Sequence, residues 1–250
     1  MNSNNPFFRT KSFRENNQND ADTTHDAVII DYNQTMTVSG TINKSFLMLI
    51  LLIASATITW SMANPIVFAI GGAIVGFVLV LIATFRPQSS VYLAPGYAIF
   101  EGLFIGGVSA IFELMYPGIV IQAVSCTFVT FMVCFGLYKY GIVKVNEKFR
   151  SVVIAATLAI GTYYLISWLL AMFAGFQPVH NGNSMASIGI SAIVIIVAAL
   201  NLFLDFDQIE RGAHNKLPKY MEWYGAMGLM ITLVWLYIEF LRLLSKLQKK

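Results

Sequence analysis

The chain has 250 residues, of which 57% are hydrophobic and only 12% charged, with a formal net charge of +3. Soluble domains carry roughly 25% charged residues, so this composition excludes an ordinary water-soluble protein and indicates a surface that faces lipid. The small net charge gives no support for nucleic acid binding, and we expect none. The length suits one domain of helices of about 20 residues each, joined by short loops.

The first 43 residues are polar and rich in asparagine. They contain no apolar stretch behind a basic start, so they do not have the pattern of a secretory signal peptide. Low hydrophobicity of this kind is typical of disordered segments. We therefore expect a mostly disordered N-terminal tail over residues 1–43 and a membrane domain over residues 44–250.

Seven apolar segments follow the tail, and each is long enough to cross a hydrocarbon core of about 30 Å as a helix. They cover residues 44–64, 65–86, 95–115, 118–140, 149–175, 186–207 and 223–246. Asn64–Pro65 and Tyr116–Pro117–Gly118 are typical of tight turns, because proline cannot continue the preceding helix. The sequence therefore predicts an all-α integral membrane protein, a bundle of about seven transmembrane helices in a lipid bilayer.

Lysine and arginine are unevenly distributed among the connections between these segments. The tail and the second, fourth and sixth connections are basic, whereas the first, third and fifth hold no lysine or arginine. The positive-inside rule then places the N-terminus and the even-numbered connections in the cytoplasm. Seven full crossings would put the basic residues after Arg242 outside, whereas one incomplete late crossing would return them to the cytoplasm.

Glycines are spaced for close helix contact. Gly72 and Gly76 form one GxxxG pattern, and Gly102 and Gly106 form another. In lipid, such small residues let two backbones approach and gain dispersion contacts. We expect helix packing surfaces here, with a pathway lined by backbone as the alternative.

Ionisable residues inside apolar segments are costly in a bilayer and usually functional. The acids in or beside the third, sixth and seventh segments are Glu101, Glu113, Asp205, Asp207, Glu210, Glu222 and Glu239. Asp205 and Asp207 lie toward a helix C-terminus, whose dipole disfavours negative charge. Each needs a cationic or proton-sharing partner unless it is an interfacial acid solvated at the helix end.

Two further acids have competing interpretations. Glu239 either forms a local ion pair with Arg242 that reaches the interface, or is a titratable group that faces the bundle interior. Glu101 lies about two turns into its helix, close to the Gly102 and Gly106 face. Its carboxyl group either has a satisfied hydrogen-bonding role or lines a pore.

Two motifs resemble the Bax inhibitor family, also called the transmembrane Bax-inhibitor-motif family. The acidic end of its sixth helix is similar to Leu204-Asp205-Phe206-Asp207-Gln208-Ile209, and Gly96-Tyr97-Ala98 agrees with its third helix. Its last-helix motif, Leu-Tyr-Leu-Asp-Phe-Ile, is similar to Leu236-Tyr237-Ile238-Glu239-Phe240-Leu241. The resemblance covers residues 37–246 and points to the bacterial branch. It departs from the family in three ways: Glu239 replaces an aspartate, Asp207 is an additional acid, and the two motifs lie farther apart.

The resemblance implies a bundle whose last helix is central and surrounded by the other six. Family members are described as pH-sensitive calcium-leak channels, in which carboxylates on helices six and seven pair across a closed pore near an arginine from helix two. Carried over, these are Asp205, Glu239 and Arg86. We add Asp207 and Glu101 as accessory residues. Calcium would be the permeant ion and would meet Asp205 and Glu239, and we expect no other cofactor.

A carboxylate pair of this kind could act as a gate. Two carboxylates within hydrogen-bond reach do not both ionise readily in a low-dielectric site, so they share a proton. Losing that proton leaves two anions that suit Ca²⁺. However, Glu239 lies roughly 24 Å along helix seven, whereas Asp205 lies near the cytoplasmic end of helix six. Pairing therefore requires helix six to extend past Asp207, or helix seven to start later or bend.

Two other classes of function remain. The sequence contains no HExxH zinc motif and no histidine within the spans that could activate a serine, so we do not expect an enzyme. The second class is a non-conducting regulator that binds a partner such as a membrane quality-control protease or another membrane protein. The compact chain and the branch of the motif predict a bacterial cell (inner) membrane protein with a cytoplasmic N-terminus.

Overall fold

The computed structural model describes residues 34–175, 180, 182 and 184–249. The chain divides into two units, Met1–Thr35 and Met36–Lys250, and the second contains every helix described below. The disordered tail predicted over residues 1–43 falls mostly on residues 1–33, which lie outside the described residues.

Seven long helices form the membrane unit. They are α1 Val38–Trp60, α2 Pro65–Phe85, α3 Ser90–Met115, α4 Ile119–Lys139, α5 Glu147–Ala174, α6 Met185–His214 and α7 Met221–Gln248. A 3₁₀ turn, Pro87–Ser89, precedes α3. All seven helices are long and apolar enough to cross a membrane, which confirms the predicted all-α membrane bundle.

Several helix boundaries differ from the expected ones: α3, for example, begins at Ser90 and contains Pro95. Three other differences concern the elements that carry candidate residues. α1 begins at Val38 rather than at residue 44, because Thr37 caps it by accepting a hydrogen bond from Gly40 N at 3.0 Å. α6 continues past Asp207 to His214. α7 begins at Met221 and runs without interruption to Gln248, so its 28 residues are about 42 Å long.

The turn between α3 and α4 depends on glycine and on an acid. Gly118 has φ 84°, a left-handed conformation that favours glycine. The Glu113 carboxylate accepts hydrogen bonds from Gly118 N at 2.6 Å and Val120 N at 3.1 Å. Glu113 therefore satisfies backbone donors at the start of α4, where the helix dipole also favours its negative charge.

The GxxxG glycines lie where helices approach most closely. A Cβ atom on Gly106 would collide with the backbone of Ala56 in α1, and one on Gly72 would collide with the Phe100 carbonyl oxygen in α3. Gly102 lies equally close to Leu52 and Ser55 of α1. The packing interpretation of these glycines is therefore confirmed.

α7 is the central helix, as the resemblance implied, although it packs closely against four of the other helices and not against all six. It packs against α1, α3, α4 and α6, and half of its most apolar stretch is buried, the largest share among the seven. Leu236 and Leu241 are fully buried on it. We call the end of the bundle that carries the α2–α3, α4–α5 and α6–α7 connections the basic face, since Arg86, Lys144 and Arg211 lie at that end.

Candidate functional site

A line of polar side chains runs along α7. Thr232, Glu239 and Lys246 recur at seven-residue intervals, and seven residues make nearly two full turns, so the three share one side of the helix. All three are buried. We call them the polar stripe.

The polar stripe runs antiparallel to α6. On the side of the basic face, Asp205 lies beside Gly228 of α7, where its Oδ1 would be 3.9 Å from a Cβ atom, and the Thr232 hydroxyl donates to the Gly228 carbonyl oxygen. At the other end, Lys246 Nζ donates to Ser191 Oγ at 2.7 Å. Between these two contacts, Ala198 of α6 and Leu236 of α7 belong to one buried cluster. We call this interface the α6–α7 seam, and its length supports a full crossing by α7 rather than an incomplete one.

Asp205 forms part of the wall of a cavity close to the basic face. The cavity has a volume of about 140 Å³ and is lined by α2, α6 and α7, with Thr84, Gln208 and Tyr224 among its residues. We call it the deep cavity. Asp205 Oδ2 is buried and has no hydrogen-bond partner. The carboxylate therefore has one oxygen free to accept a proton or to bind a cation.

Glu239 is fully buried near the middle of the seam. Its Oε1 accepts hydrogen bonds from Tyr164 Oη at 3.3 Å and from Arg242 Nη1 at 3.1 Å. Its Oε2 is buried without a hydrogen-bond partner. The Arg242 side chain is 44% exposed and that of Glu239 only 2%, so the ion pair reaches outward while the carboxylate faces the interior. Glu239 thus combines the two expected features, a local ion pair with Arg242 and a carboxyl group that faces the bundle interior.

The structure does not bring Asp205 and Glu239 together. No hydrogen bond joins them, since Asp205 Oδ2 and Glu239 Oε2 both lack a partner. Asp205 lies beside Gly228, and Glu239 follows eleven residues later, roughly 16 Å farther along α7. α6 does extend past Asp207, as pairing required, but this extension only brings Asp205 level with Gly228. The structure therefore shows no hydrogen bond through which the two carboxyl groups would share the expected proton. Within the described ranges, no cluster of three or more His, Cys, Asp or Glu residues could hold a metal ion.

Asp207 belongs to a different cluster from Asp205. Two residues along a helix correspond to a rotation of about 200°, so the two side chains leave α6 on nearly opposite sides. Asp207 pairs with Arg150 Nη2 and with Arg211 Nε, both at 2.8 Å. It ties the start of α5 to the end of α6 and lies outside the deep cavity lining.

The other two accessory residues also lie away from the seam. Arg86 caps the end of α2, is exposed, and is not among the residues that line the deep cavity. Glu101 faces α2, where its Oε2 would lie 3.1 Å from a Cβ atom on Gly76. The structure therefore groups neither residue with Asp205 or Glu239.

The comparisons with known proteins agree with the motifs at the ends of α6 and α7. The family described as Bax inhibitor 1 like matches residues 5–249, nearly the whole chain. The chain belongs to the Bax inhibitor 1 like family. No curated protein matches it significantly.

Four residues of this Bax inhibitor 1 like protein escaped the sequence analysis. Thr232 and Lys246 could have been found, because their seven-residue spacing from Glu239 places them on the same side of α7. Tyr164 and His180 gave no such signal. They come from α5 and from the α5–α6 connection, and only the folded chain brings them near Glu239 and Arg242.

His180 closes a small aromatic cluster beside the outer part of the seam. Its Nδ1 lies 3.1 Å from Tyr163 Oη, and its ring makes edge contacts with Tyr163 and Tyr164. Burial, followed by the positive charges of Arg242 and Lys246, lowers the pKa of His180 below its usual value. The neutral imidazole is therefore the form that this cluster favours.

Proposed function

We propose that this protein is a pH-sensitive cation leak that conducts calcium and is gated by the carboxylates of Asp205 and Glu239. One observation carries the proposal: each of these residues holds a buried carboxylate oxygen that lacks a hydrogen-bond partner. A buried carboxylate costs free energy unless it is protonated, hydrogen-bonded or paired with a cation. Among the acids of the described residues, the two that the family resemblance selected are therefore also the two with a buried oxygen that lacks a hydrogen-bond partner.

The gate works through the charge on these oxygens. When Asp205 is protonated and the charge of Glu239 is neutralised by a proton or by Arg242, the α6–α7 seam carries no net charge at these positions and stays packed. Loss of the protons creates anionic oxygens, a hard ligand type that suits Ca²⁺. Because the residues lie at two levels, each is a separate binding position for the ion. Each carboxyl group can lose its proton independently of the other. The leak therefore rises as the pH rises.

The packing between the two levels supports a closed form of such a leak. Ala198 and Leu236 are fully buried in this part of the molecule. Apolar side chains packed this closely leave no room for a hydrated cation. Opening requires α6 and α7 to separate. The free-energy cost of keeping ionised carboxylates away from water supplies a driving force for that separation.

We place the basic face in the cytoplasm of a bacterial inner membrane, in accord with the positive-inside rule. The deep cavity then opens toward the cytoplasm, and the outer end of the seam, with Lys246 and His180, faces the other side. With this orientation, seven crossings put the N-terminus inside and the C-terminus outside.

Reconstitution into calcium-free liposomes with an internal calcium indicator tests the proposal. We expect calcium influx in the wild type that increases as the pH is raised, and a lower, flatter influx for Glu239→Gln. Glu210→Gln is the matched control, because Glu210 is an exposed acid that pairs with Tyr138 away from the seam. Equal influx for wild type and Glu239→Gln at every pH would contradict carboxylate gating.

The same packed seam favours one alternative, a non-conducting regulator that binds another membrane protein such as a quality-control protease. This alternative predicts no calcium influx above that of protein-free liposomes at any pH. It also predicts that Asp205→Asn and Glu239→Gln leave the liposome signal unchanged.

A further inference from the structure

A second cavity adjoins the deep cavity on the side of the basic face. It has a volume of about 190 Å³, and four residues are common to the linings of the two cavities: Gln208, Ile209, Tyr224 and Gly225. The second cavity also contacts residues of the α6–α7 connection, including Asn215 and Leu217. Together the two cavities form a short route from the basic face toward Asp205, which we call the vestibule.

Met36, just ahead of α1, is seated in this vestibule. It lines the second cavity and is only 4% exposed. Its side chain lies in a depression made by two glycines, since a Cβ atom on Gly212 would be 2.7 Å from Met36 Sδ and one on Gly225 would be 3.5 Å from Met36 Cε. Gly225 belongs to the wall shared by the two cavities, so Met36 lies where they meet.

The backbone at Met36 is held by specific contacts. Met36 N donates to the Leu217 carbonyl oxygen at 2.6 Å. The next residue, Thr37, donates both its backbone N–H and its hydroxyl to Glu222 Oε1, each at 2.9 Å. Lys44 of α1 pairs with the other oxygen of Glu222. The segment before α1 is therefore attached to the first turn of α7 by a single carboxylate.

Glu222 is suited to holding this segment in a reversible manner. It is 1% exposed, and Gly40 leaves the space that its carboxylate occupies, because any Cβ atom there would collide with it. Its position in the first turn of α7 is one where the helix dipole favours a negative charge. At a helix end, water can replace the Thr37 donors when the segment leaves, and Lys44 of α1 stays paired with the carboxylate, so release does not strand a charge in lipid.

We propose that Met36 and Thr37 form a plug that closes the vestibule to Asp205, with Glu222 as its anchor. The plug limits access from the basic face, whereas the carboxylates act deeper in the seam. Its role as an inhibitor of conduction rests on the proposed leak function, but its role as a barrier to the cavity does not.

Access to the deep cavity can be measured directly. Ala83 lines the deep cavity and is 1% exposed, so Ala83→Cys reports on entry when Cys126 and Cys134 are replaced by alanine. The protein is reconstituted in nanodiscs and treated with a water-soluble thiol reagent. We expect slow modification with Met36 present and roughly tenfold faster modification in Met36→Ala, because the plugged state loses its main apolar contact.

Three variants separate a plug from general loosening. Met36→Leu keeps an apolar side chain and should leave the thiol of Ala83→Cys protected. Glu222→Gln leaves Met36 unchanged but weakens the anchor, so the same thiol should be modified faster. Met48→Ala removes another buried methionine of the same region, one that is fully buried in the core and lines neither cavity. Equal rates for Met36→Ala and Met48→Ala, or an unchanged rate in Met36→Ala, would overturn the plug.

Calcium influx in the same variants separates this inference from the proposed function. Faster thiol modification in Met36→Ala without influx in any variant supports the plug and rejects the leak. A pH-dependent leak in the wild type together with an unchanged modification rate in Met36→Ala supports the leak and rejects the plug.

Discussion

Asp205 and Asp207 are two residues apart on α6 and have opposite surroundings. Asp207 receives two arginine side chains, and Asp205 has a buried oxygen that lacks a hydrogen-bond partner. The difference follows from the helical rotation between them, which turns one toward α5 and the other toward α7. At the residue scale, charge satisfaction therefore separates an acid that stabilises the fold from one suited to function.

Asp207→Asn should lower the stability of the protein. The substitution leaves Arg150 and Arg211 without their shared carboxylate, and we expect a loss of about 1–2 kcal/mol, since both arginines are partly exposed and screened by solvent. Thermal unfolding in detergent measures the change. Glu147→Gln is the control, because Glu147 is 79% exposed and 3.7 Å from Arg211. An equal, small effect of both substitutions would contradict the structural role of Asp207.

His180 gives stability a dependence on pH. Its pKa is lowered in the folded protein, so below the usual value of about 6.5 the unfolded chain binds a proton more readily than the folded chain. Folding stability contributed by neutral His180 is therefore complete above that pH and is lost as the pH falls toward the lower folded-state pKa. Comparing the melting temperatures of wild type and His180→Asn from pH 8 to pH 5 measures this loss. If the melting temperatures of the wild type and of His180→Asn change by the same amount over this pH range, the prediction for His180 is wrong.

At the scale of the helices, α3 is fixed by backbone contact rather than by long side chains. Gly102, Gly106 and Gly72 allow α1 and α2 to approach it at distances that any Cβ atom would prevent. Such contacts suit lipid, where helices associate by close packing and not by a hydrophobic effect. A rigid α1–α3 pair also holds α1, and the plug before it, in place beside α7.

Gly106→Ala should therefore destabilise the bundle. Its Cβ atom would collide with the Ala56 backbone, which cannot move aside like a flexible side chain, and we expect a cost of about 1–3 kcal/mol. Gly161→Ala is the matched control on α5, where a Cβ atom meets nothing within 4 Å. The melting temperature should fall for Gly106→Ala and stay level or rise for Gly161→Ala. The account of α1–α3 packing is wrong if both variants melt alike.

The sequence predicted the positions of the helices along the chain better than the relative heights of their residues along the bundle axis. Apolar segments and turns at Pro65 and Gly118 located the spans, and intramembrane acids identified Asp205 and Glu239. Depth depends on where α6 ends and on its register with α7, and neither is encoded in hydropathy because polar helix ends such as 208–214 carry no apolar signal. The contacts of Tyr164 and His180 depend on tertiary packing, which spacing along the chain does not reveal.

At the scale of the whole molecule, α7 links the two ends of the seam. The plug and the deep cavity lie at its start, Glu239 lies about two thirds of the way along it, and Lys246 is held by α6 near its end. A motion of α7 relative to α6 would change all three together. This arrangement gives a Bax inhibitor 1 like protein one continuous element through which conditions at one face can affect the other.

The most direct test of the account is a double-mutant cycle on the pH-dependent calcium influx, using Asp205→Asn, Glu239→Gln and the double variant. Because no hydrogen bond joins the two carboxylates and they lie at different levels along α7, we predict that their effects on the logarithm of the influx add within experimental error. A directly shared proton would make the double variant behave like either single variant. Such non-additivity would contradict the account in which Asp205 and Glu239 are two separate binding positions for the ion along the α6–α7 seam.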